Sequence, residues 1–128
     1  MKMQEAKIIF YPEYSKQVSL KCEIAKSLSA KMKGLMHRES LPNDEGMLFL
    51  FMFSGHRFFW MKNVKIPLDL IFINKKLEII TIYEAPLEQS IFHKIYWSRG
   101  FCKYVVECNR GFCKEHGISK GNRIEIKR

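Results

Sequence analysis

Residues 46–53 read Gly-Met-Leu-Phe-Leu-Phe-Met-Phe, with no polar side chain on either parity. A strand buried on one face alternates apolar with polar, so a run that does not alternate predicts a strand covered on both sides. That strand sits inside a longer stretch, 34–73, which holds six of the ten Phe, four of the seven Met and one of the two Trp. So much apolar volume in one third of the chain must form the centre of the core, and the remaining elements are read by how they would surround it.

Downstream, Ser54–Gly55 marks a turn and Arg57 to Asn63 reads as a second strand. Leu68 to Asn74 follows Pro67 as another, and Asn74–Lys75–Lys76 before the alternating LEIITIYE suggests a hairpin. Residues 85–100 show no period and are taken as a long loop. Phe101 to Cys108 alternates as a strand, Gly111 to His116 fits one helical turn closed by Gly117, and Arg123 to Lys127 makes a last, edge strand. Upstream, SLPNDEG is a loop dense in turn formers. Leu28, Met32 and Leu35 recur at helical spacing, with Ser27 placed to cap the start and Gly34 to end it. Gln17 to Ala25 alternates Val18, Leu20, Cys22 and Ile24 against Ser19, Lys21 and Glu23, a half-buried strand; Lys7 to Tyr11 is a first strand ended by Pro12. The sum is a mainly β chain: a compact antiparallel sandwich or barrel-like domain with one or two short helices, a single domain over 1–128.

The formal charge of +9 comes from 16 Lys and 6 Arg against 13 acids and favours anionic partners. Cys22, Cys102, Cys108 and Cys113 are even in number, so a disulfide framework has to be weighed. The opening MKMQEAKIIF has no long apolar region with a small-residue cleavage site, so the expectation is a soluble, cytoplasmic protein in a reducing compartment with free thiols. No run approaches the ~18 apolar residues of a membrane span.

The strings Gly34–Leu35–Met36 with Arg38, Gly46–Met47–Leu48–Phe49, Phe59–Trp60–Met61–Lys62–Asn63, Ile66–Pro67–Leu68–Asp69 and Ile71–Phe72 resemble the domain of unknown function 192 family. YVVECNRG and GISKGN extend the resemblance from Ala25 to Ile126; Asn122 stands where that family often has Asp. The resemblance implies a compact β-rich domain and supplies no activity.

Polar residues set in apolar strands are the candidates for chemistry, because an ionised carboxylate in a dry interior must neutralise or find a partner. Asp69 lies between leucines and Glu107 follows two valines; Arg38 and Lys62 are the cations offered by the same motifs. One arrangement gathers Arg38, Trp60, Lys62, Asn63, Asp69 and Glu107 around one cavity, with Trp60 stacking on a ligand and Asn63 and Asp69 reading hydroxyls. The alternative is structural, with Asp69 accepting from backbone N–H groups and Glu107 paired with a base. The leading function is a non-catalytic binding module for a small polar or anionic, saccharide-like ligand, with no cofactor. A rival uses Asp69 and Glu107 as the paired carboxylates of a glycoside-directed hydrolase. Another is a basic nucleic-acid-binding protein, recognisable by steep salt dependence, and a fourth is a scaffold whose contact is the 85–100 loop. Cys108, Cys113 and His116 are zinc-type donors without the paired-knuckle spacing of a structural site. No Walker A, dinucleotide fingerprint or nucleophile elbow occurs.

Overall fold

The computed structural model describes residues 3–128. In chain order the elements are β1 (Glu5–Tyr11), β2 (Val18–Ala25), α1 (Leu28–Lys33), β3 (Glu45–Gly55), β4 (Phe58–Phe59), β5 (Leu68–Ile73), β6 (Ile79–Ala85), β7 (Tyr96–Trp97), β8 (Cys102–Asn109), α2 (Phe112–His116) and β9 (Arg123–Lys127). Seven strands join in one sheet in the order β6-β5-β8-β3-β2-β1-β9, and β4 pairs with β7 separately. The apolar run at 46–53 therefore belongs to the middle strand. Every neighbouring pair is antiparallel except β2 and β3, which are parallel. A parallel pair needs a crossover, and α1 with the loop after it supplies one.

The sheet curls until its two edge strands touch at one end. Glu78 bridges Arg123, and Ile124 N–H donates to Leu77 O at 2.9 Å, so the hairpin before β6 closes on β9. The result is a half-barrel with two apolar layers. The inner layer gathers Ile8, Phe10, Leu20, Leu48, Ile71 and Val106 and is plugged by Phe112 and Cys113 of α2. The outer layer packs Met47, Phe49, Leu70, Phe72 and Val105 under Leu35, Leu41, Met61 and Ile66 from the connections. Both faces of β3 are thus covered along its first half.

Ser27 caps α1 through its hydroxyl, which accepts from Ala30 N–H, and Gly34 ends the helix at φ +48°. No residue of α1 is buried, however; Leu28 and Met32 face outward and only Leu35, beyond the helix, enters the core. The strand expected over 57–63 shrinks to Phe58–Phe59, because Asn63 adopts φ +61° and Val64 N–H turns back to Met61 O. A left-handed residue cannot continue a strand. Within the irregular 85–100 stretch, Tyr96–Trp97 pairs with β4. The second half of β3 also departs from expectation. Its pairing with β2 ends at Ala25–Phe49, and against β8 it jumps from Leu50–Tyr104 to Gly55–Cys102. Residues 51–54 therefore bulge past both neighbours, and Met52 and Phe53 stand exposed.

All four cysteines are free and buried. Burial pushes the Cys22 thiol up to about 12 and Cys102 to about 11, so neither is a reactive thiolate. No helix among the described residues is long and apolar enough to cross a membrane.

Candidate functional site

Register decides which polar side chains share a face. Glu23 of β2, Met47 of β3, Glu107 of β8 and Leu70 of β5 stand directly opposite one another in one row across the sheet. Val105, Met47 and Leu70 belong to the outer layer, so Glu107 projects outward with them. Its side chain is almost fully covered, and burial alone pushes its carboxyl from 4.5 up to about 8. Among the described residues no cation opposes that shift, and the row shows why. Arg38, the cation offered by the same motifs, is committed to Glu23 two strands over, at 2.6 Å and 3.4 Å through its two terminal nitrogens. Met47 lies between the two acids. Glu107 is therefore a neutral acid at pH 7, able to donate one hydrogen bond and accept others.

Above Glu107 lies a cavity of about 460 Å³. α1 and Gly34 form one wall and Phe49, Phe51, Phe59 and Trp60 the other, while Glu107 is the acid that lines it. Phe59 stacks edge-on against Phe49 at 4.9 Å and Phe72 at 5.7 Å, which anchors that wall to the sheet. Gly34 lets the backbone pass close over the acid. A Cβ there would meet the Phe49 ring at 3.3 Å and Glu107 Oε1 at 3.6 Å, on a backbone with φ +48°. Two cations flank Phe51: Lys31 Nζ at 4.5 Å from the ring centroid and the Arg57 guanidinium at 4.2 Å. Arg57 also donates to Phe53 O, but its buried Nε has no acceptor among the described residues.

A family model described as uncharacterized ACR, the domain of unknown function 192, matches residues 12–126. The chain belongs to that family. A structure from Sinorhizobium meliloti 1021, named provisionally as a transcription regulator, superposes with a TM-score of 0.91 at 33% identity, covering 98% of this chain and 96% of that one. A protein of unknown function from Novosphingobium aromaticivorans DSM 12444 gives 0.86 at 28% identity, covering 96% and 86%. None of the curated proteins compared with the chain matches it.

In this domain of unknown function 192 protein the six candidate residues are not all gathered. Trp60 and Glu107 line the cavity. Arg38 borders a neighbouring groove of about 390 Å³ with Met36 and His37. Lys62 lies over the Trp60 ring at 5.3 Å on the exposed side. Asn63 contributes its backbone, whose O accepts from His37 N–H at 2.9 Å and ties the 35–38 turn down. Asp69 pairs across β8 with Cys108, one register position from Glu107, and so projects to the inner face. There its carboxylate accepts from Gly111 N–H at 3.1 Å and Cys113 N–H at 2.9 Å, fixing the start of α2. The sheet stands between the two carboxyls, so they do not flank a common bond as a glycosidase pair would. Cys108 and Cys113 lie in the inner layer while His116 packs its ring on Phe112 at 4.6 Å; no cluster of three metal-type donors occurs among the described residues.

The hydrogen bonds of Asp69 give a prediction. Asp69→Asn turns one acceptor into a donor facing a backbone N–H and should cost about 2 kcal/mol of stability. Urea melts should show that loss while binding at the outer cavity is unchanged; equal melts would mean α2 does not depend on this carboxylate.

Sequence reasoning missed Gly34, Lys31, Phe51 and Arg57. Gly34 alone carried a signal, as the first residue of the GLM string; nothing marks Phe51 as the ring held between two cations.

Proposed function

We propose that this protein is a non-catalytic binding module, and that its ligand is a small molecule with a flat, largely apolar body and an anionic or hydrogen-bond-accepting group. The observation that carries the reading is the neutral Glu107 carboxyl facing an aromatic-walled cavity beside cations that have no acidic partner. A convergent polar group at the base of an apolar cavity is the usual form of a small-molecule site. The ligand's body would lie between Trp60 and the α1 wall, one acceptor atom would take the Glu107 proton, and the anionic end would meet Lys31 or the Arg57 guanidinium. A sugar ring fits the same walls only through its apolar face, so the saccharide expectation narrows to aryl glycosides or sugar acids. With one carboxyl present and the other across the sheet, support for hydrolysis is weak.

The test is a thermal-shift and tryptophan-fluorescence titration at pH 6 with indole-3-acetate, phenyl β-glucoside and glucuronate as probes. At least one aromatic or anionic probe should bind, and Trp60→Ala and Glu107→Ala should each weaken it roughly tenfold or more, about 1.4 kcal/mol. Binding untouched by both substitutions would put the ligand elsewhere.

The transcription-regulator name of the Sinorhizobium meliloti protein and the +9 charge favour a second reading, nucleic-acid binding. It predicts affinity for duplex DNA that falls steeply with salt.

A further inference from the structure

Among the described residues, most of the exposed large apolar side chains fall in two segments, 52–60 and 91–101. Met52 and Phe53 on the β3 bulge are 78% and 73% exposed, and Ile91 and Phe92 in the loop before β7 are 86% and 82% exposed. Trp97 and Phe101 are exposed as well. The two segments are joined in space: β4 pairs with β7, Gly55 opposes Cys102, His56 packs on Phe101 at 4.9 Å, and Trp60 packs on His93 at 5.7 Å. Exposed apolar surface carried on two paired segments in this way marks an interaction site.

Charge indicates the partner. Between Glu45 and Asp69 there is no acid, and between Glu88 and the buried Glu107 there is none either. Over the same two segments stand Arg57, Lys62, Lys94, Arg99 and Lys103. Glu88, the acid that precedes the second segment, is taken up by His93 Nδ1 at 2.7 Å and Lys94 N–H at 2.9 Å. The surface is therefore apolar and cationic together, which disfavours a second copy of the same face through like-charge repulsion.

We infer that this region docks on an anionic lipid bilayer, the Met52–Phe53 bulge and the Ile91–Phe92 loop entering the headgroup layer while Lys62, Lys94, Arg99 and Lys103 meet lipid phosphates. The protruding tips favour this over duplex nucleic acid, whose phosphates and groove edges would leave Met52, Phe53, Ile91 and Phe92 with no apolar cover. They favour it over a shaped protein partner too, because side chains that project with most of their surface bare form no pocket of the sort that holds binding hot spots. Apolar tips ringed by lysine are the composition of interfacial anchors, where apolar burial and attraction to anionic lipid add. The aromatic cavity opens beside this face, but the inference stands whether or not that cavity holds a ligand.

Vesicle co-sedimentation of the full chain tests it, comparing phosphatidylcholine vesicles with vesicles that also contain phosphatidylglycerol. The expected result is at least roughly tenfold more binding to the anionic vesicles, with a blue shift of tryptophan emission. Ile91→Ser/Phe92→Ser and, separately, Lys62→Glu/Lys94→Glu should each lower that binding about tenfold or more, with melting temperatures unchanged because all four side chains lie on the surface. Equal binding to neutral vesicles, no vesicle binding, or binding indifferent to both double variants overturns the proposal. So does duplex DNA binding that the same variants abolish, or a dimer in solution that Ile91→Ser/Phe92→Ser dissociates.

Discussion

Glu107→Gln should hold its stability as pH rises from 5 to 8 while the unsubstituted protein loses on the order of 3–4 kcal/mol over the same window. Burial raises the folded-state pKa of Glu107 from 4.5 to about 8. Between those values the folded protein binds a proton that the unfolded chain has released. Unfolding then liberates protons, so stability falls with rising pH; the full contribution is present below about 4.5 and lost as pH passes through about 8. Glutamine copies the shape and hydrogen-bonding capacity of the neutral acid and does not titrate. The two proteins should therefore melt alike, within about 1 kcal/mol, at pH 5, and separate progressively above it, with the variant the more stable. Urea melts at a series of pH values up to 8 read the effect before the raised thiols begin to ionise. Parallel curves would mean that Glu107 is ionised and compensated in the folded state, and the neutral donor on which the binding proposal rests would be gone. A ligand anion that accepts the Glu107 proton should likewise bind more weakly as pH approaches 8.

The same residue shows where sequence reading succeeds and stops. The period-two patterns of 17–25 and 101–108 and the unbroken run at 46–53 identify β2, β8 and the central strand, because burial imposes those patterns directly. An acid between apolar neighbours is also visible, and both Asp69 and Glu107 prove to be buried. What the pattern lacks is register. Asp69 opposes Cys108 while Leu70 opposes Glu107, and that single step sends the two carboxyls to opposite faces. No local signal fixes it, since β5 is buried along its whole length and both parities are equally apolar. The 57–63 segment was misread for a related reason: its aromatic content favours a strand, but the positive φ of Asn63 is set by the turn that carries its carbonyl to His37 N–H. Arg38 looked like a partner for Glu107 because both lie in family-like strings, whereas its true partner, Glu23, sits on the polar side of an unremarkable strand.

Gly46→Ala should be among the most destabilising single substitutions available in this chain, costing more than about 3 kcal/mol. Gly46 lies where β3 is flanked by β2 and β8, opposite Cys22 on one side and Cys108 on the other. A Cβ built there would stand 2.5 Å from the backbone O of Glu107, 3.4 Å from Cys22 Sγ and 3.5 Å from Cys108 Cβ. The first of these is a collision with main chain, so no rotamer change relieves it; β3 and β8 must separate at the centre of the sheet. Separation weakens ladder hydrogen bonds and loosens both apolar layers at once, because the two strands contribute to each. Gly121→Ala is the control: none of the described residues lies within 4 Å of its Cβ position, and only the backbone strain at φ +94° is incurred, about 1 kcal/mol. For a chain of this size the difference should appear as a melting temperature lower by about 8 °C or more for Gly46→Ala than for Gly121→Ala. Because the displaced carbonyl belongs to Glu107, Gly46→Ala should also admit water to the acid and lower its pKa, shrinking the pH dependence that separates the protein from Glu107→Gln. A Gly46→Ala protein as stable as the control would mean that the β3–β8 spacing is wider than described, and with it the enclosure that keeps Glu107 neutral.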